Sequence, residues 1–217
     1  MDDLIISFLK QSAFLLESTD SRLVIDPGDR SMRDMNVDYV YATHRHTDHI
    51  AAIPQILKNN PDTRLVCNEQ TAKVFAKKKE FKDQVQVIRV GESTSLGPWG
   101  FMFLEGRHGL FRWEQNTMVV IKSPTGVSFG HAGDSTTIMP FKDLRLTYLA
   151  VPIGGLVTAS SKSIVQQLSL FQEPYPIIVP MHWLWRSPEK FCQSVETRIP
   201  GMRGLNPKNN PLITQST

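Results

Sequence analysis

The sequence predicts an α/β protein in which two β-sheets pack together and helices cover the outside. Three observations lead there. Strand-like runs outnumber helical ones, and both kinds occur in each half of the chain. Two runs, LTYLAVPIGG (146–155) and YPIIVPMHW (175–183), are almost continuously apolar, as strands buried on both faces are. A single doubly wound sheet is the second choice.

In chain order, LIISFL (4–9), AFLLES (13–18) and RLVIDPG (22–28) read as successive strands, the third stopped by Pro27 and Gly28. VDYVYATH (37–44) is another strand, and it runs straight into a histidine cluster. DHIAAIPQILKNN (48–60) puts Ile50, Ile53, Ile56 and Leu57 on one side and predicts a helix, with Pro54 early enough to be tolerated. RLVCN (64–68) is a strand and EQTAKVFAKKKEFKD (69–83) a helix. QVQVIRV (84–90), GFMFLEGRH (100–108), NTMVVIKSP (116–124) and GVSFGHAGD (126–134) then read as strands jointed by Gly, Pro or Ser. Between the two apolar runs, SSKSIVQQLSLFQE (160–173) predicts a helix capped by Ser160 or Ser161. SPEKFCQSVETRI (187–199) predicts another, with Ser187 as its cap and Pro188 at its first position. The tail NPKNNPLITQST, from about 206, is expected to fray, and residues 1–217 read as one domain.

The whole-chain properties exclude several classes. The 217 residues are 41% hydrophobic and carry a formal charge of +3, too little to imply a nucleic-acid surface. MDDLIISFLK opens with acids and is too short an apolar run for a signal peptide. No stretch approaches the roughly 20 apolar residues of a membrane helix. Cys67 and Cys192 lack metal-ligand spacing and make no disulfide framework. A cytoplasmic protein without membrane insertion is expected.

Half of the six histidines fall within HRHTDH (44–49). First-row divalent cations bind neutral imidazole well, and carboxylates fill further positions. His44 and His46 point the same way along an extended stretch, and Asp48 and His49 follow where the chain turns into a helix. Three further polar residues, His108, Asp134 and His182, each end an apolar run, where ligands gather in α/β proteins. Sorted by chemistry, His44, His46 and His108 suit one ion, Asp48, His49 and His182 a second, and Asp134 can bridge them. Singly, His108 or His182 would be an ordinary hydrogen-bonded histidine and Asp134 a turn residue; the set points to a two-metal site. His131 either faces solvent or hydrogen-bonds a ligand from behind.

These residues resemble the metallo-β-lactamase superfamily, whose H-x-H-x-D-H signature stands intact at 44–49, with GHAGDS and VPMH matching its later ligand motifs. SAFLLE, LVIDP, HAGDS, VPIGG and VPMHW look like the branch of small metal-dependent hydrolases related to ascorbate-6-phosphate lactonases. The resemblance spans nearly the whole chain. It implies an αββα sandwich of two mixed sheets with a dinuclear site at one edge, and it carries the ligand role onto His44, His46, Asp48, His49, His108, Asp134 and His182. One departure stands out: Gln11 occupies the place where relatives commonly carry the histidine of GHS. Glutamine can hydrogen-bond but cannot shuttle a proton at neutral pH.

The expected chemistry is hydrolysis by a metal-bridging hydroxide, with Asp48 and Asp134 as the catalytic carboxylates and Asp48 also able to handle the released proton. Zinc is the first choice of ion; manganese or iron suits the same donors. Ser135 reads as a turn residue rather than a nucleophile. GLFRWEQN (109–116) and WLWRS (183–187) follow two of the ligands. Trp113, Trp183 and Trp185 could wall a site where Arg112 and Arg186, with Gln11 and His131, meet a small anionic substrate. Alternatively the tryptophans cap the sandwich and the arginines stay solvated. An ester or lactone is the preferred substrate. A phosphodiesterase acting on phospholipid or nucleic acid is the runner-up, although the basic run AKKKEFKD (76–83) reads as a solvated helix face. Dioxygen chemistry is disfavoured, because di-iron members of the superfamily usually have glutamate where His46 stands.

Overall fold

The computed structural model describes residues 4–77, 79–109 and 113–208, and the backbone of 212–214. Arg112 lies outside the described residues. The first half of the chain holds β1 (Leu4–Lys10), β2 (Ala13–Ser18), β3 (Ser21–Ile25), β4 (Tyr39–Ala42), α1 (Thr47–Ile50), α2 (Ile53–Asn59), β5 (Arg64–Asn68), α3 (Glu69–Ala76) and β6 (Val85–Ile88). The second half holds β7 (Ser93–Leu96), β8 (Trp99–Arg107), β9 (Gln115–Lys122), β10 (Ser128–His131) and β11 (Tyr148–Pro152). It continues with α4 (Ser161–Leu168), β12 (Ile177–Met181), α5 (Pro188–Arg198) and β13 (Leu212–Thr214).

The strands form two mixed sheets, ordered β13-β1-β2-β3-β4-β5-β6 and β12-β11-β10-β9-β8-β7. In the first, β1 to β3 are antiparallel, and β3 to β6 run parallel. Strand alternation explains why this sheet is apolar on both faces. Phe14, Leu16, Leu23, Ile25, Tyr41 and Val66 point inward to meet Trp99, Phe103 and Phe129 of the second sheet. Their neighbours Ala13, Leu15, Val24, Val40, Leu65 and Cys67 point outward, onto Ile53, Ile56 and Leu57 of α2 and Phe75 of α3. The inner core extends through the second sheet to Ile164 and Leu168 of α4 and Phe191 and Val195 of α5. The result is the expected sandwich of two mixed sheets between helices. Each large apolar side chain so buried contributes about 1.5–3 kcal/mol.

The differences from expectation have local causes. The helix read over 48–60 is two short helices, because Pro54 has no N–H to give the Ile50 carbonyl, and the chain opens at Ala51–Ala52. β7 was not foreseen, since STSL is polar; it pairs with β8 across a two-residue turn with Gly97 at φ +54°. The strand read over 126–134 stops at His131, where Gly133 at φ +54° turns the chain before Asp134. Within the supposed tail, Leu212–Thr214 pair with Leu4–Ile6 and extend the first sheet.

Candidate metal centre

The seven candidate ligands stand on one rim of the sandwich, just past the ends of β4, β8, β10 and β12. β4 delivers Thr43 and His44, and α1 begins at Thr47, so the chain turns between His46 and Asp48. The rim is stitched across the sheets. The Thr117 N–H donates to the Thr43 carbonyl at 2.9 Å, and Asn68 Nδ2 donates to the same oxygen at 3.0 Å. Gly28 is demanded by close approach: a Cβ there would lie 1.6 Å from the Asp48 carbonyl oxygen.

The ligand atoms gather into two groups, His44, His46, His108 and Asp134 in one and Asp48, His49 and His182 in the other, each within 4.8 Å throughout. In the first, His44 Nε2 and His46 Nδ1 are 3.0 Å apart. In the second, Asp48 Oδ2 is 3.5 Å from His182 Nε2 and 3.8 Å from His49 Nε2. Asp134 joins them. Its Oδ2 lies 3.9 Å from His44 Nε2, 3.8 Å from His108 Nε2 and 3.5 Å from His182 Nε2, and its Oδ1 is 3.2 Å from His49 Nε2.

The rings are aimed from behind. Asp26, buried beyond the end of β3 at φ +47°, accepts from the Thr43 N–H at 2.8 Å and the Thr43 hydroxyl at 2.7 Å, and its Oδ2 is 2.7 Å from His49 Nδ1. With its proton committed to Asp26, the Thr43 oxygen is left to accept from His44 Nδ1 at 3.0 Å. Both histidines therefore turn Nε2 inward. Asn116 holds the Asp134 turn, its Oδ1 accepting from the Asp134 N–H at 3.1 Å and its Nδ2 donating to the Ala132 carbonyl at 3.1 Å.

Charge and burial separate the groups. Burial, with the neighbouring histidines, pushes His44 well below the usual imidazole range, and burial also lowers His108. Burial opposes a proton on His49, but the Asp134 and Asp26 carboxylates on its two nitrogens outweigh it and raise the ring well above its usual range. His182 is raised against its burial by Asp48 and Asp134. Burial would raise both carboxylates, yet His182 and His49 hold Asp48 low, and His49, His182 and His44 hold Asp134 low. His49 Nε2 and Asp134 Oδ1 are buried and, though close, make no well-directed hydrogen bond. Such atoms cost about 1–3 kcal/mol each unless something meets them. A divalent cation would meet both, and the nitrogen and oxygen donors fit one.

The structure corrects one of the substrate candidates. His131 neither faces solvent nor reaches a ligand. It is fully buried between the sheets against Phe14 and Phe129, with Nε2 at 2.9 Å from the Ser12 carbonyl and Nδ1 accepting from the Gly133 N–H. Trp183, half-buried, packs on Phe8 at 4.9 Å between ring centroids, with the Lys208 ammonium 5.0 Å from its ring. Trp113 and Trp185 are exposed, by 67% and 71%, and Arg186 is exposed on the turn after β12. Gln11 reaches the centre itself, its Nε2 donating to Asp48 Oδ2 at 2.6 Å.

Sequence reading missed Asp26, Thr43 and Asn116, and also the pair that braces the cluster's middle. Arg45, between two ligands, donates from Nε to Glu114 Oε1 at 3.0 Å and from Nη2 to Oε2 at 3.1 Å. The buried Glu114 carboxylate also lies 4.0 Å from His46 Nε2. A cleft of about 850 Å³ meets the cluster at His108 and is lined by Arg89, Arg107, Trp113, Glu114 and Thr136.

Residues 5–182 match the family described as a beta-lactamase superfamily domain. A UPF0173 metal-dependent hydrolase of Methanosarcina mazei is 28% identical over 231 residues, covering 92% of this chain and 94% of that protein. Another, from Listeria monocytogenes, is 23% identical over 222 residues, covering 90% and 94%. Among solved structures, Igni18, a metallo hydrolase from Ignicoccus hospitalis, superposes with a TM-score of 0.79 at 19% identity, covering 98% of this chain and 99% of that one. The metallo-beta-lactamase fold protein YhfI from Bacillus subtilis gives 0.76 at 14% identity, covering 99% of each chain. At these identities the structures speak for the fold.

Proposed function

The chain belongs to the beta-lactamase superfamily, and from that membership and the donor geometry we propose that it is a metal-dependent hydrolase using two divalent cations. His44, His46 and His108 would hold one and Asp48, His49 and His182 the other, with Asp134 shared. Zinc is the first choice and manganese or iron the next. The observation that carries this reading is the position of Asp134 Oδ2, which faces Nε2 atoms of both groups at 3.5–3.9 Å. Cations held there would supply Lewis acidity and a water ionised near neutral pH. The chain's own residues do the rest. Thr43 and Asp26 fix the tautomers of His44 and His49. Asp48, whose side chain is 46% exposed, has the open side needed to receive a proton.

The substrate we propose is a small ester or lactone with an anionic part, as for the lactonase-like branch. It would enter along the cleft beside His108, where Arg89 and Arg107 offer positive charge and Trp113 an apolar face. We read the chain as one domain working in the cytoplasm. Cys67 and Cys192 are buried free thiols, both pushed by burial up to about 12, and no helix among the described residues is long and apolar enough to cross a membrane. The test is metal analysis followed by a panel of lactones, carboxylic esters and phosphodiesters. Lactone or ester cleavage abolished by a chelator is the expected result. Turnover of bis(p-nitrophenyl) phosphate alone would replace this reading with a phosphodiesterase.

A further inference from the structure

Gln11 sits in the β1–β2 turn, opposite His182, and the two residues are locked together. The His182 N–H donates to the Gln11 carbonyl at 2.7 Å, and both residues hold left-handed backbones, φ +54° at Gln11 and +46° at His182. A non-glycine residue in that region carries about 1–3 kcal/mol of strain, which the surrounding structure must hold in place. What the strain positions is one amide group. Gln11 Nε2 lies 2.6 Å from Asp48 Oδ2 and 3.1 Å from His182 Nε2, and those two atoms are themselves 3.5 Å apart. The amide donates to Asp48 and stands within 3.1 Å of the His182 nitrogen. The Asp48 lone pair and the space in front of His182 Nε2 are what the second cation would need.

We propose that Gln11 competes with the second cation for Asp48 and His182, making that half of the centre the weaker and more exchangeable one. The inference rests on the two-cation reading above. It concerns the second group alone, because the donors of the first, His44, His46 and His108, lie outside the reach of the Gln11 contacts. A neutral amide cannot replace a divalent charge, so the competition weakens the site without closing it. Binding the ion means breaking the bond to Asp48, a hydrogen bond to a charged acceptor and hence one of the stronger kind.

The experiment is a zinc titration of the full chain and of Gln11→Ala, followed by calorimetry and by competition with a chromogenic chelator. Alanine keeps the Cβ and removes the amide with its Cγ methylene, and Gln11→Gly serves as a second variant that also relieves the strain. In both variants the second zinc should bind about tenfold more tightly or better, with the first unchanged. One zinc on the native chain and two on the variants would also support the competition. Two ions on every chain, with the second bound equally or more weakly in the variants, would overturn it while leaving the two-cation centre standing. One ion on every chain would overturn both.

Discussion

In the proposed centre His44, His46 and His108 make one half and Asp48, His49 and His182 the other, and the two halves are held in different ways. His44 and His108 are fully buried in their side chains, pushed towards the neutral form by that burial, and His44 is locked from behind by Thr43. In the second half Asp48 is 46% exposed, Gln11 occupies it from the side, and both His49 and His182 are raised by facing carboxylates. In the first half, His44 and His108 are buried and only His46 is partly open to solvent. In the second, an amide already stands beside Asp48 and His182, where a cation would go. On the proposed two-cation reading, similar donors make a tighter seat and a more exchangeable one, according to what else reaches them.

The largest effect should come from the residue that the halves share. Asp134→Ala should lose both ions and lower turnover by roughly a thousandfold or more, since metal Lewis acidity is worth several kcal/mol. Two bound zinc ions in that variant, read by elemental analysis, would remove the bridge from the account. Next comes the contrast between halves. Asp48→Ala should keep one zinc with the first-site affinity, whereas in His108→Ala the tighter binding event should be the one that disappears. If the two variants lose the same event, the halves are not distinct. Asp26→Asn should weaken both, by about 10–100-fold in affinity, because Asp26 backs His49 directly and His44 through Thr43. The smallest effect is expected at the cleft. Trp113→Ala should leave the metal content unchanged and raise KM roughly fivefold, the worth of about 1 kcal/mol of aromatic contact.

Much of the candidate centre was legible in the chain because its donors are written locally. HRHTDH is one short segment, and His108, Asp134 and His182 each terminate an apolar strand, so residue type and position agreed. Strands of the first sheet such as AFLLES were likewise legible as apolar runs, and the fold buries them on both faces. What stayed hidden depends on pairing across the fold. Asp26, before Pro27 and Gly28, has the appearance of turn chemistry, and only the folded chain brings it to His49. Glu114 and Arg45 are 69 residues apart, and nothing in either neighbourhood announces the other. His131 looked like a site residue for the opposite reason. It lies in a motif with Asp134, but the turn at Gly133 sends Asp134 to the rim and leaves His131 between the sheets.

The central claim is that seven side chains converge on two cation seats with Asp134 between them. Anomalous-difference crystallography of the zinc-loaded protein tests it most directly. Two peaks are predicted, one enclosed by His44, His46 and His108 and the other by Asp48, His49 and His182, both touching Asp134. Zinc bound away from these residues, or a lone peak that leaves His49 and His182 uncoordinated at saturating metal, would contradict it.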